Sequence, residues 1–587
     1  MNTKLYLIIL LCLFITGQAT IYAQSALTLD AYGVWSRGDL EHDPSDPNYN
    51  YLKGMSASGS SWDNIQPEDS ATYNWDIIQE SIDLAFERDQ YLYLGTGFGP
   101  AAPQWIYEHG VPKVYTTETG HKKHEKWPYY PYYMDEDYKR FYKNFLIEMG
   151  EFLKGQPANK LEKIVFIQVK TGCTGDEAAY KGLANDPAYE LPKNGKDWSD
   201  FRIFAFEIYR EVFNSGELNI PLLFNSIEPE SFPTEWEWLS SKIGKDYGIK
   251  QGALVRGHHL TGERTVVEEW GPHLVNPKEL PLFSRSEMDQ TWTRPLYQIN
   301  AELGFYWGVI NGLNQGLSVW DISNSALDFA RDNESVQNSF RFFNKYADQI
   351  YPESSTRAFI ALHEGLDASD TQKFPEKIYG PANSNNEERY IAICNDPVYV
   401  NRGAKMDDPF SATKGQVYQR SMQKGYNDAG WDIWPGNYSR FITQIDPDNT
   451  SIGLFRIDGP INKESPIYSR FARSFENSTG KNTMYFQLDE DFNNVSPQTI
   501  TFKVTYYDKE KGSAWDFKYD AGKGNFKTAK TITCEGDKTW KTISITVKDA
   551  VLNQNGPKEC DFALVNNDKK DDIFHMIEVE KQTSIEQ

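Results

Sequence analysis

Two segments of this chain carry carboxylates in a setting where acid–base chemistry can be done. Residues 164–177, IVFIQVKTGCTGDE, begin as an apolar run of strand character and end in a glycine-rich turn bearing Asp176 and Glu177. Residues 282–289, LFSRSEMD, form a second strand-like run and carry Glu287, 110 residues after Glu177. A pair of carboxylates brought together can divide the work of glycosidic cleavage. One protonates the leaving oxygen while the other attacks the anomeric carbon. That division needs two environments, one that keeps a proton at neutral pH and one that does not.

The elements around these segments predict how they are positioned. Runs rich in β-branched and aromatic residues alternate with stretches of helical periodicity from residue 27 to about 347. Strand candidates lie in 27–39, 51–69, 91–99, the start of 164–177, 220–227, 248–259, 282–289 and 316–323. Helical patterns fall in 73–90, 135–154, 198–213, 234–245, 295–310 and 333–347. Such alternation predicts parallel strands with helical crossovers. Eight units in roughly 320 residues fit a closed (β/α)8 barrel, whose catalytic groups sit at the C-terminal strand ends. An open doubly wound sheet is the competing arrangement, but no glycine-rich phosphate loop follows the first strand.

Reading the strand ends gives the candidate site. Besides Glu177 and Glu287, it contains Trp35, Arg37, Trp62, Trp105, Lys170, Asp176, Asn225, Arg256, His258 and Trp320 as candidate substrate contacts. Neighbouring residues on a strand point to opposite faces, so His258 and His259 do not read as a metal pair, and one of them reads as a hydrogen-bonding group. No GxSxG elbow, HExxH helix or CxxC pair is present. Neither a metal nor a cofactor is expected.

Composition narrows the partners. Aromatic residues make up 14% of the chain, with 16 Trp and 35 Tyr. That excess suits either a β-rich fold or a surface that stacks on sugars. The net charge of −23 argues against nucleic acid, which calls for a basic footprint. Locally the balance differs. Lys170, Arg256, Arg264, Arg285 and the run HKKHEK at 121–126 bring positive charge to the strand ends. Arginine and lysine recognise sulfate or carboxylate oxygens directly, so an anionic substrate is admitted.

At the N-terminus, Lys4 precedes an apolar run from Leu5 to Ile15, followed by Ala19 and Ala23. This reads as a signal peptide over 1–23, with the mature protein secreted or periplasmic and no membrane span. A barrel over 24–350 is expected to follow. Beyond it, short alternating runs such as RYIAICN, TMYFQLD, TITFKVTYYD and KTISITV predict an all-β region. It divides into a β-rich adaptor over 351–440 and a β-sandwich of jelly-roll type over 441–587. Cys534 and Cys560 are open to two readings, a disulfide within the sandwich or free buried thiols.

Residues 60–112, SSWDNIQPEDSATYNWDIIQESIDLAFERDQYLYLGTGFGPAAPQWIYEHGVP, resemble the first third of clan A glycoside hydrolases. They are most similar to the family 42 β-galactosidase-like branch and related red-algal galactan hydrolases. The resemblance covers roughly residues 27–330. It implies a retaining mechanism, with the acid/base after the fourth strand and the nucleophile at the end of the seventh. Those roles map onto Glu177 and Glu287. It also implies a polysaccharide substrate, such as carrageenan, agar or porphyran, and a sugar floor at Trp320. One departure stands out. Where the clan has Asn-Glu at the end of strand four, this chain has Gln168-Val169-Lys170-Thr171, and its carboxylates come later in GCTGDE. Asp176 is therefore a rival to Glu177. Two other readings are a non-catalytic glycan-binding barrel and a β-glycosidase for neutral plant or host glycans.

Overall fold

The computed structural model describes residues 27–582, leaving aside 28, 39–40, 58, 119–127, 174–177, 226, 228, 244–246, 252–282, 289, 294, 299, 366–369, 383–386, 405–435, 458, 460 and 494–496. Eight parallel strands close into a barrel in the order β1-β8-β7-β6-β5-β4-β3-β2. They are β1 (Gly33–Ser36), β2 (Leu52–Ser56), β3 (Tyr91–Leu94), β4 (Ile164–Gln168), β5 (Leu222–Asn225), β6 (Tyr247–Gln251), β7 (Phe283–Met288) and β8 (Val319–Ile322). The (β/α)8 barrel expected from the alternating pattern is present, and each strand overlaps the segment that announced it, with β6 starting one residue earlier, at Tyr247.

The helices explain why the pattern was readable. Helix Glu136–Lys154 buries Tyr138, Phe141, Tyr142, Phe145, Met149 and Leu153, three or four residues apart on one face. Its first turn is capped by Asp135, whose carboxylate accepts from the amides of Asp137 and Tyr138, both at 3.0 Å. Such a cap is worth ~1 kcal/mol. Strand β4 is buried at all five positions, because parallel barrel strands are covered on both faces.

Alternation along the strands decides which residues enter the barrel. Trp35, Tyr93, Phe166 and Phe283 meet inside it, with Tyr93 stacked on Phe166 at 5.0 Å and Phe283 at 4.7 Å from Phe166. Two glycines make room for these rings. A Cβ on Gly54 would stand 2.5 Å from the Trp35 ring, and one on Gly248 would stand 2.2 Å from the Phe283 ring. This aromatic plug is the layer on which the charged residues of the mouth rest.

The C-terminal region is a sandwich of two antiparallel sheets. One sheet holds β9 (Arg357–Ala361), β10 (Tyr438–Arg440), β12 (Ile452–Arg456), β13 (Arg470–Ser474), β15 (Gln498–Tyr507), β18 (Trp540–Ala550) and β20 (Ile573–Lys581). The other holds β11 (Ile442–Ile445), β14 (Thr483–Leu488), β16 (Ala514–Asp520), β17 (Phe526–Thr533) and β19 (Phe562–Asn566). Phe486, Phe502, Trp515, Phe517, Phe562 and Phe574 lie in the core between them.

The expected adaptor over 351–440 does not stand apart. Its strands β9 and β10 pair with each other, and β9 pairs with β20, so both belong to a sandwich sheet. RYIAICN, read as a strand, lies in helix Glu387–Asn395. Its unbroken apolar run, residues 390–394, fits a buried helix segment as well as a strand, and is too short for periodicity to choose. Cys534 and Cys560 are buried thiols not joined in a disulfide, the second of the two readings.

One arginine fastens the sandwich to the floor of the barrel. Arg440 is buried and donates to the carbonyls of Leu313, Leu317, Tyr346 and Gln349. Tyr306, on a barrel helix, meets His575 of β20 at 2.6 Å between Oη and Nε2. No described helix is long and apolar enough to cross a membrane.

Candidate active site

The mouth of the barrel is built by strand register. Trp35 of β1 lies beside Asp321 of β8, and Asp321 lies beside Glu287 of β7. Lys250 of β6 is paired with both Asn225 and Arg285. Trp35 points inward, so Arg37, two residues later, points into the mouth as well. Arg285 and Glu287, also two apart, share the inward face of β7.

These side chains form one charged network. Glu287 Oε1 accepts from Arg285 Nη1 at 3.1 Å and lies 3.3 Å from Lys250 Nζ. Glu287 Oε2 lies 3.3 Å from Arg37 Nη2. Arg285 continues downward, donating from Nη2 to the Tyr93 hydroxyl at 2.6 Å and to Asp321 Oδ2. Its guanidinium also lies 4.5 Å from the Tyr93 ring centroid. Arg37 Nε stands 3.6 Å from the same oxygen of Asp321. Tyr93 and the aromatic plug below keep water from the base of this network.

The electrostatics separate the two carboxylates. Burial penalises the charge of Glu287, but Lys250, Arg285, Arg37 and Lys170 together outweigh it and hold its carboxyl well below the usual range. Glu287 is therefore ionised at any neutral pH, as a nucleophile or an electrostatic stabiliser must be. Asp321 is almost fully buried, and there burial wins over Arg285 and Arg37, raising its carboxyl above the ordinary value. Around Arg37, burial opposes the charge, but Asp321 and Glu287 hold the guanidinium above its ordinary value. Among the described residues, four cations thus act on Glu287, and Asp321 is the second carboxylate of the cluster.

The fourth strand presents its end differently. Gln168 and Lys170 run along the mouth next to Gly95, where a Cβ would be 3.4 Å from Gln168 Cβ and 3.5 Å from Lys170 Cε. Cys173 N donates to Ala178 O at 3.0 Å. Cys173, the second residue of GCTGDE, is thereby joined to Ala178, the residue that follows it. Asp176 and Glu177 themselves lie outside the described residues, as do Arg256, His258 and Arg264.

The tryptophans do not line the mouth. Trp35, Trp62, Trp105 and Trp320 are each 3% exposed or less. Trp35 is part of the plug. Trp62 packs on Phe98, Trp105, Tyr138 and Phe145. Trp320 faces outward and packs on Phe305, Phe340 and Phe343, so the sugar floor expected at this position is not formed by it. The inward position on β8 belongs to its neighbour Asp321. Asn225 is buried at the end of β5. Phe224 packs outward on Phe206 and Trp238, which turns Asn225 inward beside Lys250. Arg285, counted from the sequence as part of a basic rim, is a buried floor for Glu287 instead.

Lys250 and Tyr93 were not among the predicted site residues, and Asp321, read at the same strand end as Trp320, was given no role there. Their signal lies in parity. Lys250 ends an apolar strand, and Asp321 stands next to a tryptophan on a strand otherwise apolar, where a charge needs a partner. Elsewhere among the described residues, Asp508, Glu535 and Asp537 gather closely enough for a cation. Lys541 Nζ fills that place, at 2.6, 2.7 and 2.9 Å.

No protein family matches this sequence, and no curated protein matches it. Among solved structures, the chain is similar to the catalytic domain of a β-amylase from Paenibacillus polymyxa, at 8% identity and a TM-score of 0.36 over 55% of this chain and 99% of that one. It is similar to a Penicillium canescens endo-1,4-β-xylanase at 9% identity and a TM-score of 0.32, over 51% and 86%. A β-galactosidase from Marinomonas ef1 gives 11% identity and a TM-score of 0.32, over 53% and 58%. Likenesses this distant carry no functional argument, and the barrel stands on its own strand order.

Proposed function

We propose that this protein is a secreted retaining β-glycoside hydrolase, with Glu287 as nucleophile and Glu177 as general acid/base. The observation that carries this reading is Glu287 itself. It is a partly exposed carboxylate at the C-terminal end of the seventh strand of a closed barrel, held ionised by surrounding cations. In the first step, a Glu287 oxygen attacks the anomeric carbon and Glu177 gives its proton to the leaving oxygen. Water then releases the sugar from the Glu287 ester, with Glu177 taking the proton back. A retaining mechanism requires the two carboxyl groups to lie about 5–5.5 Å apart.

The substrate we favour is a sulfated red-algal galactan such as carrageenan, agar or porphyran. Its support is the positive character of the mouth, where Arg37, Lys170 and Lys250 join the buried Arg285 around Glu287. Incubation with a panel of algal and plant polysaccharides tests both halves. The expected result is release of oligosaccharides whose first-formed anomer is β, and loss of about 10⁴-fold in turnover in Glu287→Gln. Equal turnover in Glu287→Gln would remove the reading.

A second reading, a glycan-binding barrel without turnover, is favoured by the same cations. Both oxygens of Glu287 are engaged in ion pairs. Binding of a glycan without cleavage, by the native chain and by Glu287→Gln alike, would establish it.

A further inference from the structure

The four cations around Glu287 are not equivalent. Arg285 is 1% exposed and is held on three sides, by Glu287, Asp321 and Tyr93. It cannot move without stranding buried charge. Lys250 is 10% exposed and shares Glu287 Oε1 with Arg285. Arg37 differs in both respects. Its side chain is 35% exposed, and its ion pair is with Oε2, whereas those of Lys250 and Arg285 are with Oε1. Its Nε and Nη2 atoms are sealed from water and meet carboxylates only as ion pairs, Nε at 3.6 Å from Asp321 and Nη2 at 3.3 Å from Glu287, with no hydrogen bond formed. A guanidinium whose buried N–H groups are ion-paired but not hydrogen-bonded gains by meeting an acceptor that matches its fork.

We propose that Arg37 is the specificity-determining residue of this site, leaving Glu287 to bind a sulfate ester on the sugar that occupies the mouth. A sulfate offers paired oxygens that match the guanidinium fork. Glu287 Oε1 stays fixed by Arg285 and Lys250, and Oε2 is released as the attacking oxygen. A neutral sugar leaves Arg37 on Oε2, where it screens the nucleophile. Substrate charge and nucleophile availability are thereby coupled through one side chain. The proposal rests on the glycosidase reading above, and its test is arranged so that the two can fail separately.

The experiment uses one galactan oligosaccharide and its desulfated counterpart, with the full chain, Arg37→Gln and Arg37→Lys. In kcat/KM, the native chain is expected to prefer the sulfated substrate by roughly 10- to 100-fold. Arg37→Gln brings that ratio near one, by loss on the sulfated substrate and gain on the desulfated one, and Arg37→Lys keeps part of it. An equal loss on both substrates would overturn the proposal, reducing Arg37 to a prop for Glu287. Titration calorimetry with the same pair decides the matter if the native chain cleaves neither, an outcome that counts against the hydrolase. Tighter binding of the sulfated sugar that disappears in Arg37→Gln then supports the proposal, and equal binding by both proteins sinks it. Melting curves of Arg37→Lys and Arg37→Gln identify any variant lost to misfolding, and the conservative lysine carries the test in that case.

Discussion

Two buried arginines, one at each end of the barrel, show how differently the same side chain can be used. Arg285 at the mouth faces carboxylates, and their charge together with Tyr93 raises its guanidinium above the ordinary value against the cost of burial. Arg440 at the floor donates its hydrogen bonds to carbonyls, and burial outweighs the charge of Asp348 and pushes it down to about 10. At the floor, four carbonyls of the barrel are tied to the sandwich by one rigid fork. No group there is left ready to act, and the arrangement reads as a fastening. At the mouth, the guanidinium is itself an instrument, keeping Glu287 ionised and fixed. The comparison predicts that damage at the mouth costs activity first, whereas damage at the floor costs stability alone.

The largest effect separates the two ends. Glu287→Gln is expected to lose about 10⁴-fold in turnover while its melting temperature changes little, measured on any glycan the native chain cleaves. Next is Asp321→Asn, which leaves Arg285 with one counterion fewer in a buried place. Denaturant unfolding should show a loss of about 4 kcal/mol. Turnover should fall too, since Arg285 and Arg37 both lose an anchor. At the floor, Arg440→Met strands the carbonyls of Leu313, Leu317, Tyr346 and Gln349. It is expected to cost about 3 kcal/mol with kcat/KM of the folded protein unchanged. A drop in kcat/KM there would break the comparison.

The smallest effect is a pH dependence at the same interface. Burial holds the His575 imidazole at about 4, below its ordinary value of 6.5. The unfolded chain therefore takes up a proton that the folded chain refuses between pH 6.5 and 4. Stability falls as pH drops through that window, by about 2 kcal/mol at pH 5 relative to pH 7 from this group. His575→Gln should lose that share of the acid sensitivity, read as a smaller difference in unfolding free energy between pH 7 and pH 5. An unchanged difference would show that the histidine does not titrate across folding.

Much of this architecture could be read from the chain before its structure. The strand positions were legible because each parallel strand is a short apolar run between helices of clear periodicity, as in IVFIQ before the helix Lys196–Phe213. Glu287 was legible for a related reason, since a carboxylate inside such a run must find partners. The tryptophans misled because type alone does not give direction. Trp320 and Asp321 are neighbours, and only their parity on β8 sends one to the helices and the other to the mouth. Lys250 and Tyr93 stayed hidden because their roles depend on register between strands far apart in sequence. The adaptor was misjudged because β9 finds its partner β20 more than 200 residues away, across a gap that no local pattern spans.

The central claim is that Glu287 is the ionised nucleophile of a retaining glycosidase. Chemical rescue tests it most directly. Glu287→Ala, given a substrate with a good leaving group and sodium azide, is predicted to regain turnover and to release an α-glycosyl azide. Full activity in Glu287→Ala without azide, or a β-configured azide product, would contradict it.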